Sequence, residues 1–354
     1  MFNEKIILTG GGTGGSVTPL LALADKFDKN NLLWIGTENG LEKNMIESEG
    51  IRFISIKSGK LRRYFDWKNF SDLFLIIFGF FQSFTILLKI KPGLVMTAGS
   101  FVSVPVVWAA WILRIPVLIH QQDARPGLAN KLMAPFARII TVTFEKSLGD
   151  YGKKAVWTGN PARRSLEIPR NKKQETSHFD LNDDIPTILM LGGGTGSMAI
   201  NKLVEESLDE LTKFCQIIHV AGRGKMPSVK NENYKAFEFL GTEQMAEAYA
   251  VSDIVISRAG MGTLTELSHL GKPAIIIPMP DSHQEDNASI FKEKEAAVIL
   301  GQKDLKSDVF LQEVGNLLNN DGMKEKLSQN IKKVIKSGAD ETILMLIKNL
   351  NKVH

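Results

Sequence analysis

The residues whose types and spacing are best suited to chemistry lie at positions 258–266, Arg-Ala-Gly-Met-Gly-Thr-Leu-Thr-Glu, directly after the apolar run 254–257. An arginine just before a predicted helix offers its guanidinium to an anion, and the free N–H groups of the first helical turn can face the same anion. Glu266, one turn into the helix, could accept hydrogen bonds from both hydroxyls of a ribose. The segment therefore predicts a site for an anion that carries a ribose.

A purely structural explanation of part of this segment is a helix cap. Thr263 and Glu266 fit the T-x-x-E capping box, which stabilises a helix by about 1 kcal/mol and needs no ligand. That explanation has no use for Arg258, nor for Gly260 and Gly262, which precede the threonine. The segment therefore favours binding over capping.

Glycine-rich loops occur twice in the chain. The sequence ILTGGGTGG at positions 7–15 recurs as LMLGGGTGS at positions 189–197, each time after an apolar run and before a helical pattern. Glycine lets the backbone approach a phosphate, and a helix N-terminus adds free N–H groups. The first copy also fits G-x-G-x-x-G, with Glu38 where a dinucleotide-binding protein places its acid. Repetition and the density of glycine favour a phospho-sugar or pyrophosphate over a dinucleotide; a tight turn without a ligand is the remaining alternative.

The elements that must hold these loops alternate between short apolar runs and longer amphipathic segments, which is typical of βαβ units and parallel sheets. Strands are predicted at residues 5–8, 32–35, 94–97, 116–119, 139–142, 187–191, 216–220, 254–256 and 274–277. Two strand–loop–helix starts half a chain apart predict two Rossmann-like α/β domains that face one another. We expect residues 1–162 to form the first domain, residues 163–339 the second with a polar linker at its start, and the last helix, residues 340–354, to pack back on the first.

Composition narrows the class of protein. The chain has 354 residues, of which 44% are hydrophobic and 23% charged, as in folded globular proteins. Its net charge of +4 suits anionic substrates or an anionic membrane surface but is too small to indicate nucleic-acid binding. Cys215 is the single cysteine, which excludes a disulfide framework and a cysteine metal cluster. Because residues 1–8 lead directly into a strand with no signal-peptide pattern, we expect a protein that is not exported.

The apolar segment 70–90 is about long enough to span a bilayer, but it contains Asp72, Gln82, Ser83 and Thr85. A transmembrane helix, a buried helix and a helix that lies on the membrane surface are all possible explanations. Basic and aromatic residues just upstream favour the surface helix, because together they form an interfacial anchor for anionic lipid; they are Lys57, Lys60, Arg62, Arg63, Tyr64, Phe65, Trp67 and Lys68.

An ordered set of further motifs resembles one family of glycosyltransferases, the MurG family, over nearly the whole chain. The motifs are GGGTGG at 10–15, IGTENGLE at 35–42, GSFVSVP at 99–105, PGLANK at 126–131, TGNPAR at 158–163, the second glycine loop at 192–196, MAEAYAVSD at 245–253 and RAGMGTLTE at 258–266. The family transfers N-acetylglucosamine from UDP-N-acetylglucosamine to lipid I (undecaprenyl-pyrophosphoryl-N-acetylmuramoyl-pentapeptide), which forms lipid II in peptidoglycan synthesis. Each motif alone is generic to nucleotide-sugar enzymes, whereas their order is specific.

The resemblance implies a GT-B fold, with the donor held by the second domain and the acceptor by the first. For the donor, the resemblance implies that the diphosphate lies near Arg258, Gly262, Thr263 and the second loop (Gly193, Gly194, Thr195, Gly196). It implies that Glu266 binds the ribose and that the uracil lies near Thr242 and Met245. The sugar is expected near Gln284 and Asn287, with Arg163 beside the donor. For the acceptor pyrophosphate it implies Thr13, Gly14, Gly15 and Asn130. The apolar patch that contains Leu73, Phe74, Ile77, Phe78 and Phe81 matches the family's membrane-association region.

The sequence departs from the family pattern in three places. Ser16 stands where the family's first loop ends in histidine, and the family's His-Glu-Gln-Asn reads His-Gln-Gln-Asp at residues 120–123. The second loop reads GGGTGS in place of GGSxGA. The candidates for a general base are therefore His120 and Asp123, and Ser16 could serve only with assistance.

The reaction implied is attack of the muramoyl 4-hydroxyl on the anomeric carbon of the donor, with inversion and departure of UDP. Arg258, the loop amides and a helix N-terminus would stabilise the charge on UDP. No Asp-x-Asp motif is suitably placed, so we expect neither a metal nor a cofactor. The expected partners are UDP-N-acetylglucosamine, lipid I, an anionic membrane and cell-wall synthesis proteins, at the cytoplasmic face of the inner membrane, and no nucleic acid.

Four other functions are compatible with parts of the pattern. The nearest are another GT-B enzyme that glycosylates a lipid, and a UDP-sugar epimerase, although an epimerase has no use for a basic and apolar patch. A catalytically impaired UDP-sugar-binding homologue is suggested by Ser16 and Gln121. A dinucleotide oxidoreductase is the most distant alternative.

Overall fold

The computed structural model describes residues 4–12, 14–40, 42–59, 68–162 and 178–350. The chain divides into two compact units. Unit 1 contains Met1–Arg163 and Lys336–His354, and unit 2 contains Arg164–Ile335.

Unit 1 is built on a seven-stranded sheet in which every neighbouring pair is parallel. Its strands, β1 to β7, are Ile6–Thr9, Leu32–Thr37, Arg52–Ile56, Leu94–Thr97, Val117–Gln121, Ile139–Val142 and Ala155–Trp157. The spatial order is β3-β2-β1-β4-β5-β6-β7. The winding direction therefore reverses between β1 and β4, as in a Rossmann fold.

Helices cover both faces of this sheet. They are α1 to α5, Thr18–Ala24, Glu42–Ser48, Lys68–Ile90, Ser103–Ile112 and Leu128–Met133, and the C-terminal helix, Ala339–Leu350. Alternate residues of β1 enter different cores: Ile7 packs with the α4 side, while Ile6 and Leu8 pack with Ile343 and Ile347 of the C-terminal helix. A salt bridge of 2.8 Å between Lys26 and Asp340 adds to this packing. The last helix of the chain is thus part of unit 1.

Unit 2 repeats the same plan with six parallel strands. Strands β8 to β13 are Thr187–Leu191, Gln216–Val220, Tyr234–Phe237, Ile254–Ser257, Ala274–Ile276 and Val298–Ile299, in the order β10-β9-β8-β11-β12-β13. Helices α6 to α11 are Met198–Leu211, Thr242–Val251, Met261–Leu270, His283–Glu293, Ser307–Leu318 and Asp321–Ile331; the C-terminal helix is α12.

The predicted fold class, two Rossmann-like parallel α/β domains, is confirmed. Each glycine loop follows the strand at which its sheet reverses direction, β1 in unit 1 and β8 in unit 2. In open parallel sheets, ligands bind beyond the carboxyl ends of the strands at this reversal. The topology therefore places both loops where a ligand site is expected.

The apolar segment forms α3, which packs one side against α4 and exposes the other. Ile76, Ser83 and Leu87 are buried, whereas Phe74, Phe78 and Phe81 are 73%, 56% and 62% exposed. In the described part of the chain, no helix is both long and apolar enough to cross a membrane. A wholly buried helix is excluded by the exposed phenylalanines.

Candidate active site

The second glycine loop combines tightly packed glycines with open ones. A Cβ atom at Gly196 would lie 2.2 Å from the carbonyl oxygen of Ala221, and one at Gly192 would lie 2.3 Å from the Ser197 nitrogen. At Gly193 and Gly194 a Cβ atom would meet nothing within 4 Å. The outer glycines are thus required by packing, while the tip of the loop faces open space in which a ligand can reach the backbone.

Ser197 joins this loop to α6. Its hydroxyl oxygen accepts a hydrogen bond from the Ile200 N–H at 3.3 Å, so it is the N-cap of the helix, and it also accepts one from Nε of Arg258 at 3.1 Å. Lys225 donates to the carbonyl oxygen of Thr195 at 2.8 Å. The loop is therefore held from two sides by positively charged side chains.

Arg258 is buried at the carboxyl end of β11, where its guanidinium joins several segments of unit 2 by hydrogen bonds. Nη1 donates to the carbonyl oxygens of Ile277 and Pro278 at 3.0 and 3.1 Å, and Nη2 donates to the side chain of Gln302. With the bond to Ser197, four of its five N–H groups have protein partners. Burial lowers the pKa of the Arg258 guanidinium. The guanidinium thus lies behind the second glycine loop. Its hydrogen bonds hold the loop, the segment after β12 and Gln302 together.

The start of α8 excludes the capping-box explanation. The N-cap is Gly260, which has no side-chain cap, and Thr263 is the third residue inside the helix. Glu266 accepts a hydrogen bond of 2.9 Å from the hydroxyl of Tyr249, a fully buried residue of α7. Glu266 is therefore oriented by a tyrosine, and the first turn of α8 is not capped by its own threonine.

The other predicted donor residues lie at the same edge of the sheet, because each follows the carboxyl end of a strand. Thr242 is exposed at the start of α7, and Met245 is half-buried. The side-chain oxygen of Gln284 accepts from the Met279 N–H at 3.0 Å. Asn287 is fully buried and donates to the carbonyl oxygen of Ala259 at 3.2 Å, so it braces the turn before α8. Arg163 lies outside the described residues.

The first glycine loop, residues 10–15, is organised around a carboxylate. Glu42 of α2 accepts a hydrogen bond from the Gly12 N–H at 3.1 Å. Ser16 donates to the carbonyl oxygen of Gly11 at 3.3 Å, so its hydroxyl closes the loop. A Cβ atom at Gly14 would meet nothing within 4 Å, and Gly15 is exposed. Thr13 lies outside the described residues.

His120 is completely buried in β5, with both ring nitrogens engaged. Nε2 lies 2.6 Å from Oδ1 of Asn160, and Nδ1 lies 2.9 Å from the hydroxyl of Thr141. Because an amide oxygen can only accept, Nε2 carries the proton and Nδ1 accepts from the threonine. Burial lowers the pKa of His120 to about 4. Its only lone pair is therefore occupied, which favours a structural role over that of a base.

Gln121 is the centre of a neutral hydrogen-bond cluster at the end of β5. Its side-chain oxygen accepts from the amide of Asn130 and, at 2.9 Å, from the hydroxyl of Tyr151. Its side-chain nitrogen donates to the carbonyl oxygens of Asp123 at 2.8 Å and Arg125 at 3.4 Å. Asn130 is buried, and one N–H of its side-chain amide donates to Gln121. Asp123 is half-buried at the same strand end.

Acid is expected to destabilise both units through two buried histidines. Burial also lowers the pKa of His219 in β9 to about 4. A histidine titrates near 6.5 when unfolded, so below that pH the unfolded chain binds protons that the folded chain refuses. The unfolding free energy therefore has its full value above about pH 6.5. It falls by about 3 kcal/mol for each histidine as the pH drops from there to about pH 4. Urea unfolding across this range measures it.

The matched variants for this prediction are His120→Asn and His269→Gln, since His269 is exposed on α8. His120→Asn should remove about half of the pH dependence of the unfolding free energy, because His219 keeps its share, and His269→Gln should leave the dependence unchanged. An unfolding free energy that stays constant from pH 7 to pH 4.5 in the unsubstituted protein would contradict the prediction.

Four residues of the site were not identified from sequence: Glu42, Ser197, Tyr249 and Gln302. Ser197 could have been found, because a serine after a glycine loop and before a helical pattern is a typical N-cap. The others act through partners on distant segments, for which the sequence contains no local signal.

Two parallel sheets, each with a glycine loop at its reversal, and a helix start held by an arginine in the second sheet together match the GT-B fold of nucleotide-sugar enzymes. The sequence matches the Glycosyltransferase family 28 N-terminal domain over residues 6–142 and the Glycosyltransferase family 28 C-terminal domain over residues 187–342. A UDP-N-acetylglucosamine–N-acetylmuramyl-(pentapeptide) pyrophosphoryl-undecaprenol N-acetylglucosamine transferase from Clostridium tetani is 38% identical to it, covering 98% of each chain. The chain belongs to the MurG family.

Two solved structures share the fold. MurG of Acinetobacter baumannii superimposes with a TM-score of 0.75 at 24% identity, covering 98% of this chain and 99% of that one. The UDP-GlcNAc 2-epimerase of Neisseria meningitidis, bound to UDP-GlcNAc, gives a TM-score of 0.70 at 15% identity, covering 98% and 100%. Transferases and epimerases therefore share this architecture, and the sequence relative decides between the families.

Proposed function

We propose that the protein transfers N-acetylglucosamine from UDP-N-acetylglucosamine to lipid I and forms lipid II. The name of the Clostridium tetani relative describes this reaction, and the likeness covers 98% of both chains. The observation that carries the proposal is the open start of α8, where Tyr249 holds the carboxylate of Glu266. A carboxylate fixed in this way, one turn from a helix N-terminus, suits a ribose next to a diphosphate.

The donor would lie along the carboxyl edge of the unit 2 sheet. Its diphosphate would meet the backbone at Gly193, Gly194 and Gly262, where a Cβ atom would meet nothing within 4 Å. Arg258 would supply positive charge from behind, through the loop that it clamps, as the charge on UDP develops. Asn287 would act by bracing the turn before α8, because its own side chain is buried.

The remaining donor contacts rest on the family pattern alone. The uracil would lie near Thr242 and Met245, the sugar near Gln284, Thr263 close to the phosphates, and Arg163 beside the donor. Lys225 holds the carbonyl oxygen of Thr195, so any contact of the Thr195 backbone with a diphosphate would be made by its N–H.

For the acceptor, unit 1 offers the open part of the first loop, Gly14 and Gly15, at the reversal of its sheet. The 4-hydroxyl of the muramoyl sugar needs a general base. His120 is unsuited, because its lone pair is engaged and its pKa is held near 4. We infer that Asp123, half-buried at the same strand end, is the better candidate, and that Ser16 maintains the loop.

Incubation with UDP-N-acetylglucosamine and a lipid I analogue tests the proposed reaction. We expect UDP release and lipid II formation, with far slower release from UDP-glucose and UDP-galactose. Transfer from another UDP-sugar to a lipid without a muramoyl group would favour a different glycolipid enzyme. Conversion of the donor to its epimer without an acceptor would favour an epimerase, and UDP-sugar binding without any turnover would favour an impaired homologue.

We further propose that the exposed side of α3 lies on an anionic membrane, at the cytoplasmic face. The support is the cluster of Phe74, Ile77, Phe78 and Phe81, all exposed on one helix, together with the basic composition of the chain. The side chain of Leu73 and the basic residues at 60–67 lie outside the described residues. Association with cell-wall synthesis proteins stays a prediction from the family.

Removing two of these phenylalanines is expected to weaken membrane binding. Full burial of a phenylalanine side chain gives about 1.5–3 kcal/mol, so Phe78→Ser with Phe81→Ser should lower partitioning into anionic vesicles on the order of 100-fold. Vesicle sedimentation measures it. Met345→Ser is the matched control, because Met345 is 57% exposed on another helix of unit 1. Equal losses in both variants would exclude α3 as the membrane contact.

A further inference from the structure

A buried carboxylate behind the first glycine loop has no role in the reaction described so far. Glu42 is completely buried, yet its hydrogen-bond partners among the described residues are uncharged. Oε1 accepts from the N–H and the hydroxyl of Thr37, and Oε2 accepts from the N–H of Gly12. A buried charge is tolerated only when hydrogen bonds replace its hydration. The donors are therefore arranged around this carboxylate, and they connect the end of β2 to the loop that follows β1.

Two glycines, Gly11 and Gly40, leave the space that the Glu42 carboxylate occupies. A Cβ atom at Gly11 would lie 2.2 Å from Oε1, and one at Gly40 would lie 1.9 Å from Oε2. Neither glycine has a positive φ, so their backbone conformations suit other residues. A side chain at Gly11 would thus displace the carboxylate from its hydrogen bonds, so the absence of a Cβ atom at this position of the glycine-rich motif serves Glu42.

The first glycine loop has two parts: Gly11 and Gly12, which contact Glu42, and Gly14 and Gly15, which are open. The Gly12 N–H points to Glu42 and is not available to an anion. Gly14, beyond it, has open space where a Cβ would be. A loop made almost entirely of glycine loses much conformational entropy when it is ordered, so a fixed point at its base restricts the remaining residues.

We propose that Glu42 is the positioning residue of the first glycine loop: it holds Gly11 and Gly12 so that the N–H groups further along the loop meet the pyrophosphate of the acceptor. This role rests on the proposed function of unit 1 as the acceptor side. The carboxylate touches no substrate and acts only through the loop.

Glu42→Gln tests this role with the smallest change of shape. A glutamine places an NH2 group opposite either the Gly12 N–H or the Thr37 N–H, so one of these two contacts is lost. We expect the KM for a lipid I analogue to rise about tenfold or more, since a hydrogen bond to a charged group is broken. The Kd of UDP, which binds unit 2, should stay within about twofold of its original value. The matched control is Glu38→Gln, an exposed carboxylate of the same segment, paired with Lys57 at 2.7 Å.

A double-variant cycle isolates the contact with Gly11. Gly11→Ala alone should raise the KM for the acceptor, because the new methyl group collides with the Glu42 carboxylate. In a Glu42→Ala background the same substitution should cost nothing further. Additive effects of the two substitutions would overturn the proposal, and so would a Glu42→Gln enzyme whose acceptor KM is unchanged. A Glu42→Gln enzyme that loses UDP affinity and thermal stability while its acceptor KM rises would also overturn it, because the effect would then not be confined to the first loop.

Hydrogen exchange separates this proposal from the proposed function. Amides of residues 10–15 should exchange faster in Glu42→Gln than in the unsubstituted protein and in Glu38→Gln. If the unsubstituted protein forms no lipid II, the proposed function fails, while faster exchange still supports positioning of the loop by Glu42. Unchanged exchange overturns the positioning role whatever the activity.

Discussion

Arg258→Lys is expected to lower both the stability of unit 2 and its affinity for UDP, although the charge is retained. Arg258 joins three separate segments: Ser197 at the start of α6, the carbonyl oxygens of Ile277 and Pro278 after β12, and Gln302. A lysine ammonium cannot reproduce this planar fork. At least two buried acceptors would lose their partners, and the second glycine loop would lose one of its supports.

The expected size follows from the burial of these contacts. Breaking a buried, hydrogen-bonded charge costs about 3–5 kcal/mol, which for a domain of this size lowers the melting temperature by about 10 °C. We expect the Kd of UDP to rise by about tenfold or more, because the loop that would bind the diphosphate is released. Thermal unfolding and calorimetric titration with UDP measure the two effects.

Arg223→Lys is the control, since Arg223 is exposed and lies over the ring of Phe239. It should change the melting temperature by no more than about 2 °C. Loss of UDP affinity with an unchanged melting temperature in Arg258→Lys would show that the guanidinium contacts the ligand directly and that the clamp is unimportant.

The central strands of both sheets could be predicted from sequence, whereas the edge strands could not. Strands such as Ile6–Thr9 and Thr187–Leu191 are buried along their whole length and read as continuous apolar runs. The four missed strands, β3, β7, β10 and β13, are the outermost strands of the two sheets. Each is half-buried and short or polar in part, because one edge has no neighbouring strand. The apolar signal that identifies a core strand is therefore missing.

The candidate site was predictable in its position and not in its internal contacts. Glycine loops and the arginine before α8 identified the carboxyl edge of each sheet, because their spacing relative to strands is local. The partners of Arg258 and Glu266 are on other segments, and only the fold brings them together. The sequence also could not separate glycines that border open space, such as Gly193 and Gly194, from Gly11 and Gly196, where a Cβ atom would collide with neighbouring atoms.

The same limit applies to the departure from the family pattern at residues 120–123. Read alone, glutamine in place of glutamate suggested a lost base. The family pattern His-Glu-Gln-Asn has one carboxylate and so has His-Gln-Gln-Asp here, with the acid and the amide exchanged between positions 121 and 123. The structure gives the exchange a physical basis, because Gln121 uses its NH2 group to donate to two backbone carbonyls, which a carboxylate cannot do.

Gln121→Glu should therefore impair the protein instead of restoring a lost function. The new carboxylate would face the carbonyl oxygens of Asp123 and Arg125 in a buried position, so its pKa would be raised above the usual value of about 4.3. When protonated it can donate as glutamine does, and when ionised it repels both oxygens. The deficit in unfolding free energy relative to the unsubstituted protein should thus be small below about pH 4.3 and grow as the pH rises through the raised pKa. We expect a loss of about 2–3 kcal/mol at pH 7.5, with transfer reduced accordingly.

Exchanging both positions tests whether the two departures compensate for each other. Gln121→Glu with Asp123→Asn recreates the family's arrangement of one acid and one amide, and removes the second negative charge from the strand end. We expect the double variant to recover part of the stability that Gln121→Glu alone loses, because one negative charge is removed, so that the coupling free energy between the two positions is about 1–2 kcal/mol in favour of the pair. The transfer rate should stay low, because the double variant lacks the Asp123 carboxylate that we infer to be the base. Urea unfolding at several pH values and the rate of lipid II formation measure these effects, with the exposed Gln312→Glu as control. A gain in rate from Gln121→Glu alone would contradict this account, because it would mean that a carboxylate at the end of β5 is the missing base.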